Sequence, residues 1–158
     1  MQRTGTNPES ADRIAAAFRA ADYIVGAGDA AYRVRIGHRH PMLDERVGHR
    51  PWAIVTACNP GARRRDDDAN RVSDAALRRQ LDALAPSLLI RCTNRDPAGD
   101  WPDEPSWLFA PADAETADAL AAAHSQAAIV FGRPGEPASL RFVDRRPRRA
   151  ASSEQGNA

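Results

Sequence analysis

WAIVTACNPGARRRDDDANRVSDAALRRQLDALAPSLLIRC, Trp52 to Cys92, is the stretch on which the reading of the fold turns. WAIVTAC is apolar on both faces, the pattern of a strand covered from two sides. Asn59-Pro60-Gly61 is turn chemistry and ends it. Asn70 or Ser73 can cap a helix in which Leu77, Leu81 and Leu84 repeat at i, i+4 and i+7. Pro86 stops that helix, and LLIRC is again strand-like. Strand 53–58, helix 70–85 and strand 88–92 thus read as a βαβ unit, whose strands run parallel.

Outward from there the pattern continues. SWLFA reads as strand 106–110, Pro111 and Asp113 open a helix over 113–124, and AAIVFG forms strand 127–132. This is a second βαβ unit. RPGEPA turns the chain back into LRFVD. Before the opening stretch, Ser10 caps a helix with Ile14, Ala17, Phe18, Ala21 and Ile24 on one stripe, and Gly26 or Gly28 ends it. AYRVRIG alternates as a half-buried strand. The order is αββαββαββ. It predicts an α+β fold: a mixed sheet of about six strands, with the loop-joined neighbours antiparallel and helices packed on the sheet. One domain spans 8–144, with flexible tails over 1–7 and 145–158, the latter rich in arginine.

The chain has 158 residues, 42% of them hydrophobic and 27% charged, ordinary values for a single globular domain. No apolar run reaches the roughly 18 residues that cross a bilayer, and MQRTGTNPES has no apolar signal core, so a cytoplasmic, non-membrane protein is expected. All 22 basic residues are arginine, which excludes lysine Schiff-base and Walker-type chemistry. Leaving out 145–158, 18 arginines stand against 20 acids, a balance of −2. That balance argues against specific nucleic-acid binding. Cys58 and Cys92 have no zinc-like spacing and read as buried thiols.

Several motifs invite chemistry. VGAGDAA, from Val25, matches Gly-x-Gly-x-x-Ala, but a nucleotide site needs a strand before the glycines and a helix after them. Here the reading gives the reverse order. His38, His40, Asp44 and His49 fit either a metal or a solvated loop. That loop falls on the rim opposite Asn59. His124 sits near a helix end, where the dipole favours a cation. Cys58 has no histidine in its motif to activate it.

Topology gathers a different set. Strand headings bring Asn59, Arg63, Asn70, Glu104 and Gln126 to one edge, where α/β ligands bind. Within DWPDEPSWLF, prolines stiffen the chain around Glu104, next to Trp101. Such a carboxylate serves as general base or hydrogen-bond acceptor, or it pairs with Arg63, Arg64 or Arg91 in a merely rigid loop. RRR and DDD pair locally, each exposed pair contributing about 0–1 kcal/mol. The amides Asn59 and Asn70 bracket them and can both donate and accept.

AIVTACNPGA, then Asn70, then DEPSWLFAP, then QAAIVFG resembles the bacterial family DUF3293. The resemblance covers about 30–143. It rests on Thr56, Asn59 and Pro60, on Asn70, on Glu104, Ser106 and Trp107, and on Gln126 and Ala128. It implies no activity, and selects the same rim. The expectation is a domain that binds a polar or phosphate-bearing, nucleotide-like ligand. Asn59, Asn70, Ser106 and Gln126 would orient it, Arg63 would meet an anion, and Glu104 would act as base. Against it stand a non-catalytic protein-interaction domain with a structural rim, and RNA binding by the tail. No metal or cofactor is named by any motif, and oligomeric state is not legible.

Overall fold

The computed structural model describes residues 8–143; the readings of 1–7 and 145–158 as tails fall outside them. Among the described residues there are four α-helices, α1 (Pro8–Ala20), α2 (Pro41–Arg46), α3 (Asp67–Ala83) and α4 (Ala114–Ala123). The strands are β1 (Asp22–Val25), β2 (Tyr32–Val34), β3 (Trp52–Val55), β4 (Leu88–Arg95), β5 (Glu104–Ala110), β6 (Ala128–Gly132) and β7 (Ser139–Phe142). They form one sheet in the order β2-β1-β4-β5-β3-β6-β7. The α+β class stands. Seven strands replace six, and every ladder is antiparallel, so the sheet is not mixed.

The reason is intercalation. β3 and β4 share a heading, as do β5 and β6, as the two helical crossovers require. In each unit, however, a third strand pairs between them: β5 lies between β3 and β4, and β3 between β5 and β6. Each βαβ unit is split. The headings inferred from the crossovers hold, and the neighbours do not. β2 likewise pairs with β1 and not with β3.

The helical spacing of Phe18, Ala21 and Ile24 predicts that the first helix runs on through β1. The chain instead leaves α1 at Ala20 and pairs Tyr23 with Asn94 on β4. A strand therefore does precede the glycines of VGAGDAA. After them come a 3₁₀ turn, Gly28–Ala30, and then β2, so no helix N-terminus faces a phosphate there. α2 lies inside the expected His/Arg loop. Pro41 opens it and Leu43 and Val47 anchor it. α3 starts earlier than expected, because Asp66 caps it by accepting from Ala69 N at 2.8 Å. Asp67 and Asp68 then favour the positive helix end.

Alternation along the central strands sends side chains to two cores. Ala53, Val55, Trp107, Phe109, Ile129 and Phe131 meet α3 and α4. Trp52, Ile54, Leu108 and Val130 meet Leu43 and Val47 of the α2 region, with Phe18 and Ala21 packed on the same side. The sheet thus has a pair of helices on each face. No described helix is long and apolar enough to cross a membrane.

Candidate functional site

The site is built on the turn after β3. Thr56 Oγ1 accepts from Cys58 N and donates to Pro105 O at 2.9 Å, tying the turn to the start of β5. Asn59 adopts the left-handed conformation, φ 47° and ψ 62°, which asparagine tolerates better than most residues. Gly61 comes next but one at φ 64°, and Gly61 N donates to Ser125 O, closing the turn against the end of α4.

Asn59 is tied closely to its neighbours. Its backbone N donates to Asn70 Oδ1 at 2.9 Å, and its Oδ1 accepts from Arg65 N and from Asn70 Nδ2. Its Nδ2 donates to Glu104 Oε1 at 2.6 Å. Arg65 turns inward under this turn, donating to Ser73 Oγ at 2.7 Å, to Ala69 O and to Asn70 Oδ1. Of the three consecutive arginines, one is structural. Arg64 is exposed, and Arg71 pairs with Asp68.

Glu104 begins β5, opposite Asn94. Its Oε1 accepts a second bond, from Trp101 Nε1 at 2.8 Å. Among the described residues no hydrogen bond uses its Oε2, and no arginine pairs with it; Arg91 holds Asp74 instead. Burial pushes the Glu104 carboxyl above its ordinary range, against the opposing pull of the Asn59 and Trp101 bonds.

Two cavities meet at this glutamate. The larger, about 320 Å³, opens between α1 and the sheet edge. One wall is apolar, from Ile14, Ala17, Phe18 and Ala21; the other carries Thr56, Asn59, Asn94, Glu104 and Gln126. The smaller, about 240 Å³, lies on the far side of Asn59 and Glu104 and includes Arg64, Arg65 and Asn70. Gln126 is buried and donates Nε2 to Cys58 O at 2.9 Å, so it reaches the same turn.

Asn59, Asn70, Glu104 and Gln126 are therefore brought together as their strand headings implied. Arg63 is exposed and lines neither cavity. Ser106 is fully buried; its hydroxyl donates to Asn94 Oδ1 at 2.6 Å, and it also lines neither. Asn59 and Asn70 hold the loop and the carboxylate. Sequence reasoning misses Phe18, Tyr23 and Arg65. The apolar stripe of α1 is visible in the sequence, but a stripe does not show whether a core or a void lies beneath it.

The other motifs resolve structurally. Asp44 Oδ2 accepts from Gly135 N, and His40 Nε2 lies 3.1–3.2 Å from the backbone of Arg35. No group of three or more His, Cys, Asp or Glu able to hold a metal occurs among the described residues. His124 meets Gln80 Oε1 at 2.7 Å. Its pKa is lowered by partial burial and by Arg65, so the cation favoured by the helix end is opposed. Burial raises the Cys58 thiol to about 11, which leaves it a poor nucleophile.

No curated protein and no solved structure matches the chain. The family model described as Protein of unknown function (DUF3293) matches residues 55–129. That stretch includes Thr56, Asn59, Asn70, Glu104 and Gln126, but not the α1 wall, and the family matched over it is the one its motifs resemble.

Proposed function

We propose that the domain binds a small molecule in the cavity between α1 and the sheet edge, with Glu104 as the acceptor for its polar head. One observation carries this: a half-buried carboxylate is fixed through Oε1 by two N–H donors while Oε2 is left uncommitted beside a cavity. Preorganised polar groups at the end of an apolar pocket are the usual construction of a small-molecule site. The volume sits at the low end of the range of about 300–1,000 Å³ for such sites.

The head is better read as a hydrogen-bond donor than as a phosphate. Arg63, expected to meet an anion, stands outside, and the central group is itself a carboxylate. General-base chemistry would use the same oxygen, since a raised carboxyl accepts a proton nearer neutral pH.

A non-catalytic interaction domain has one observation in its favour. The amides of Asn59 and Asn70 and the guanidinium of Arg65 spend their bonds on one another, as a scaffold would. The test is a thermal-shift screen of small polar and amphipathic metabolites on the full chain, repeated on Glu104→Gln. Stabilisation by a ligand, lost in the variant, supports the cavity reading. Hits that stabilise both proteins equally place the ligand elsewhere and sink it.

A further inference from the structure

We infer that the head group is an amine, bound as an ammonium ion carried on an apolar body; this rests on reading the cavity as a ligand site. Two observations beyond the uncommitted oxygen point there. The first is aromatic lining. Phe18, Tyr23 and Trp101 all face the cavity, and the Trp101 indole N–H lies on Glu104 at 2.8 Å. The edge of that ring is therefore fixed beside the carboxylate. That N–H edge carries positive charge and draws no cation itself, but an aromatic lining offers ring faces, and a cation lying over a face is attracted where a neutral donor is not.

The second is the distribution of fixed charge. Asp96 also lines the cavity, and its carboxylate is held by the backbone N–H groups of Ala98, Asp100 and Trp101, each at 3.0 Å. Of the two lining arginines, Arg95 is paired with Asp103 at 3.2 Å. Arg13 is exposed on α1 and stands, among the described residues, as the one rival centre, suited to an anionic head. The apolar wall of Ile14, Ala17 and Phe18 then takes the body of the ligand. Ammonium-to-carboxylate bonds are charge-assisted and roughly twice as strong as neutral ones.

Three probes of one shape decide the matter: 4-phenylbutylamine, 4-phenylbutan-1-ol and 4-phenylbutyrate. Each is titrated calorimetrically into the full chain, into Glu104→Gln and into Ala17→Phe, whose ring would occupy the cavity. The amine should bind about tenfold tighter than the alcohol, and the acid weakest. Glu104→Gln should bring the amine to the alcohol's affinity, and Ala17→Phe should abolish both. Matching thermal unfolding of the variants shows that they remain folded. Equal affinities, or the acid binding tightest, overturn the amine while the cavity reading stands. Amine binding that survives Ala17→Phe, or no binding of any probe, overturns both.

Discussion

The two faces of the sheet are finished differently. Under α3 and α4 the strands present Val55, Phe109, Ile129 and Phe131 to Leu77, Leu81 and Leu120, and the space is filled. On the other face α2 is packed as tightly, with Leu43 fully buried in the same core as Trp52. α1 on that face is not. Phe18 and Ala21 touch that core, yet Ile14, Ala17 and Phe18 also line a space of about 320 Å³ beside the Glu104 carboxylate. An apolar helix face left unfilled forgoes dispersion contacts that the other helices make. The difference separates what the domain uses to stay folded from the space in which the proposed ligand would sit.

The sharpest way to break this comparison is to remove bulk from the filled side and add it to the void. Leu81→Ala, at a fully buried position between α3 and the sheet, should cost about 2–5 kcal/mol in denaturant unfolding. Ala17→Phe, on the exposed cavity wall of α1, should shift stability by no more than about 0.5 kcal/mol. If Ala17→Phe proves as damaging as Leu81→Ala, the space beneath α1 is already occupied by packed structure and the comparison collapses.

A second test works within the α1/α2 face. Gly132 pairs with Trp52 across β6 and β3, and the Trp52 ring occupies the place where a side chain at 132 would begin. Gly132 has an ordinary φ, so its need is steric and not conformational. Gly132→Ala must displace the indole and should destabilise by about 1–3 kcal/mol, read as a lower urea midpoint. Under α1 no such jam exists. A neutral result would show that the α2 half is as loose as the α1 half.

Much of this is legible in the sequence, and the failures have physical causes. Strand headings follow from the two helical crossovers, and headings alone are enough to gather Asn59, Asn70, Glu104 and Gln126. Pairing is not legible. β5 comes after β4 in the chain yet inserts between β4 and β3, and an apolar strand carries no mark of which neighbour it will bond. β1 is hidden because four residues cannot override a helical spacing that runs from Ile14 to Ile24. Arg65 cannot be told from Arg63 and Arg64. Only the left-handed turn at Asn59 decides which of the three swings under the loop. The polar half of the site is visible because turn chemistry and prolines fix it locally. Its apolar half depends on how far α1 stands from the sheet, which no spacing encodes.

A smaller effect is expected at the cap of α3, which feeds Asn70 into the site. Asp66→Ala frees Ala69 N and should cost about 1 kcal/mol, seen as a fall in melting temperature of about 2–4 °C. The filled face should absorb the loss without change in ligand affinity beyond the shift of Asn70. A much larger fall would mean that the cap also braces the turn holding Arg65.

The smallest effect tests the carboxylate itself. The folded state raises the Glu104 carboxyl, so folding favours its protonated form. Its stabilising contribution is fully present below the ordinary carboxyl range and is lost as pH rises through the folded value. Glu104→Gln keeps an oxygen for Asn59 and Trp101 and cannot ionise. The variant should therefore gain in melting temperature over the parent as pH rises from acid to neutral. The groups facing Glu104 bear on the size of that gain. Tyr23 on β1 and Cys58 are both raised by burial and stay neutral through this range. Asp96 and the Arg95–Asp103 pair of the β4 side, and Arg13 of α1, bring charge near it. An added amine should reverse the trend in the parent alone, because an ammonium ion on Oε2 favours the ionised carboxylate. A difference between the two proteins that stays flat with pH would mean that Glu104 is as well solvated as an ordinary surface acid. The void under α1 would then hold no poised charge for a ligand to meet.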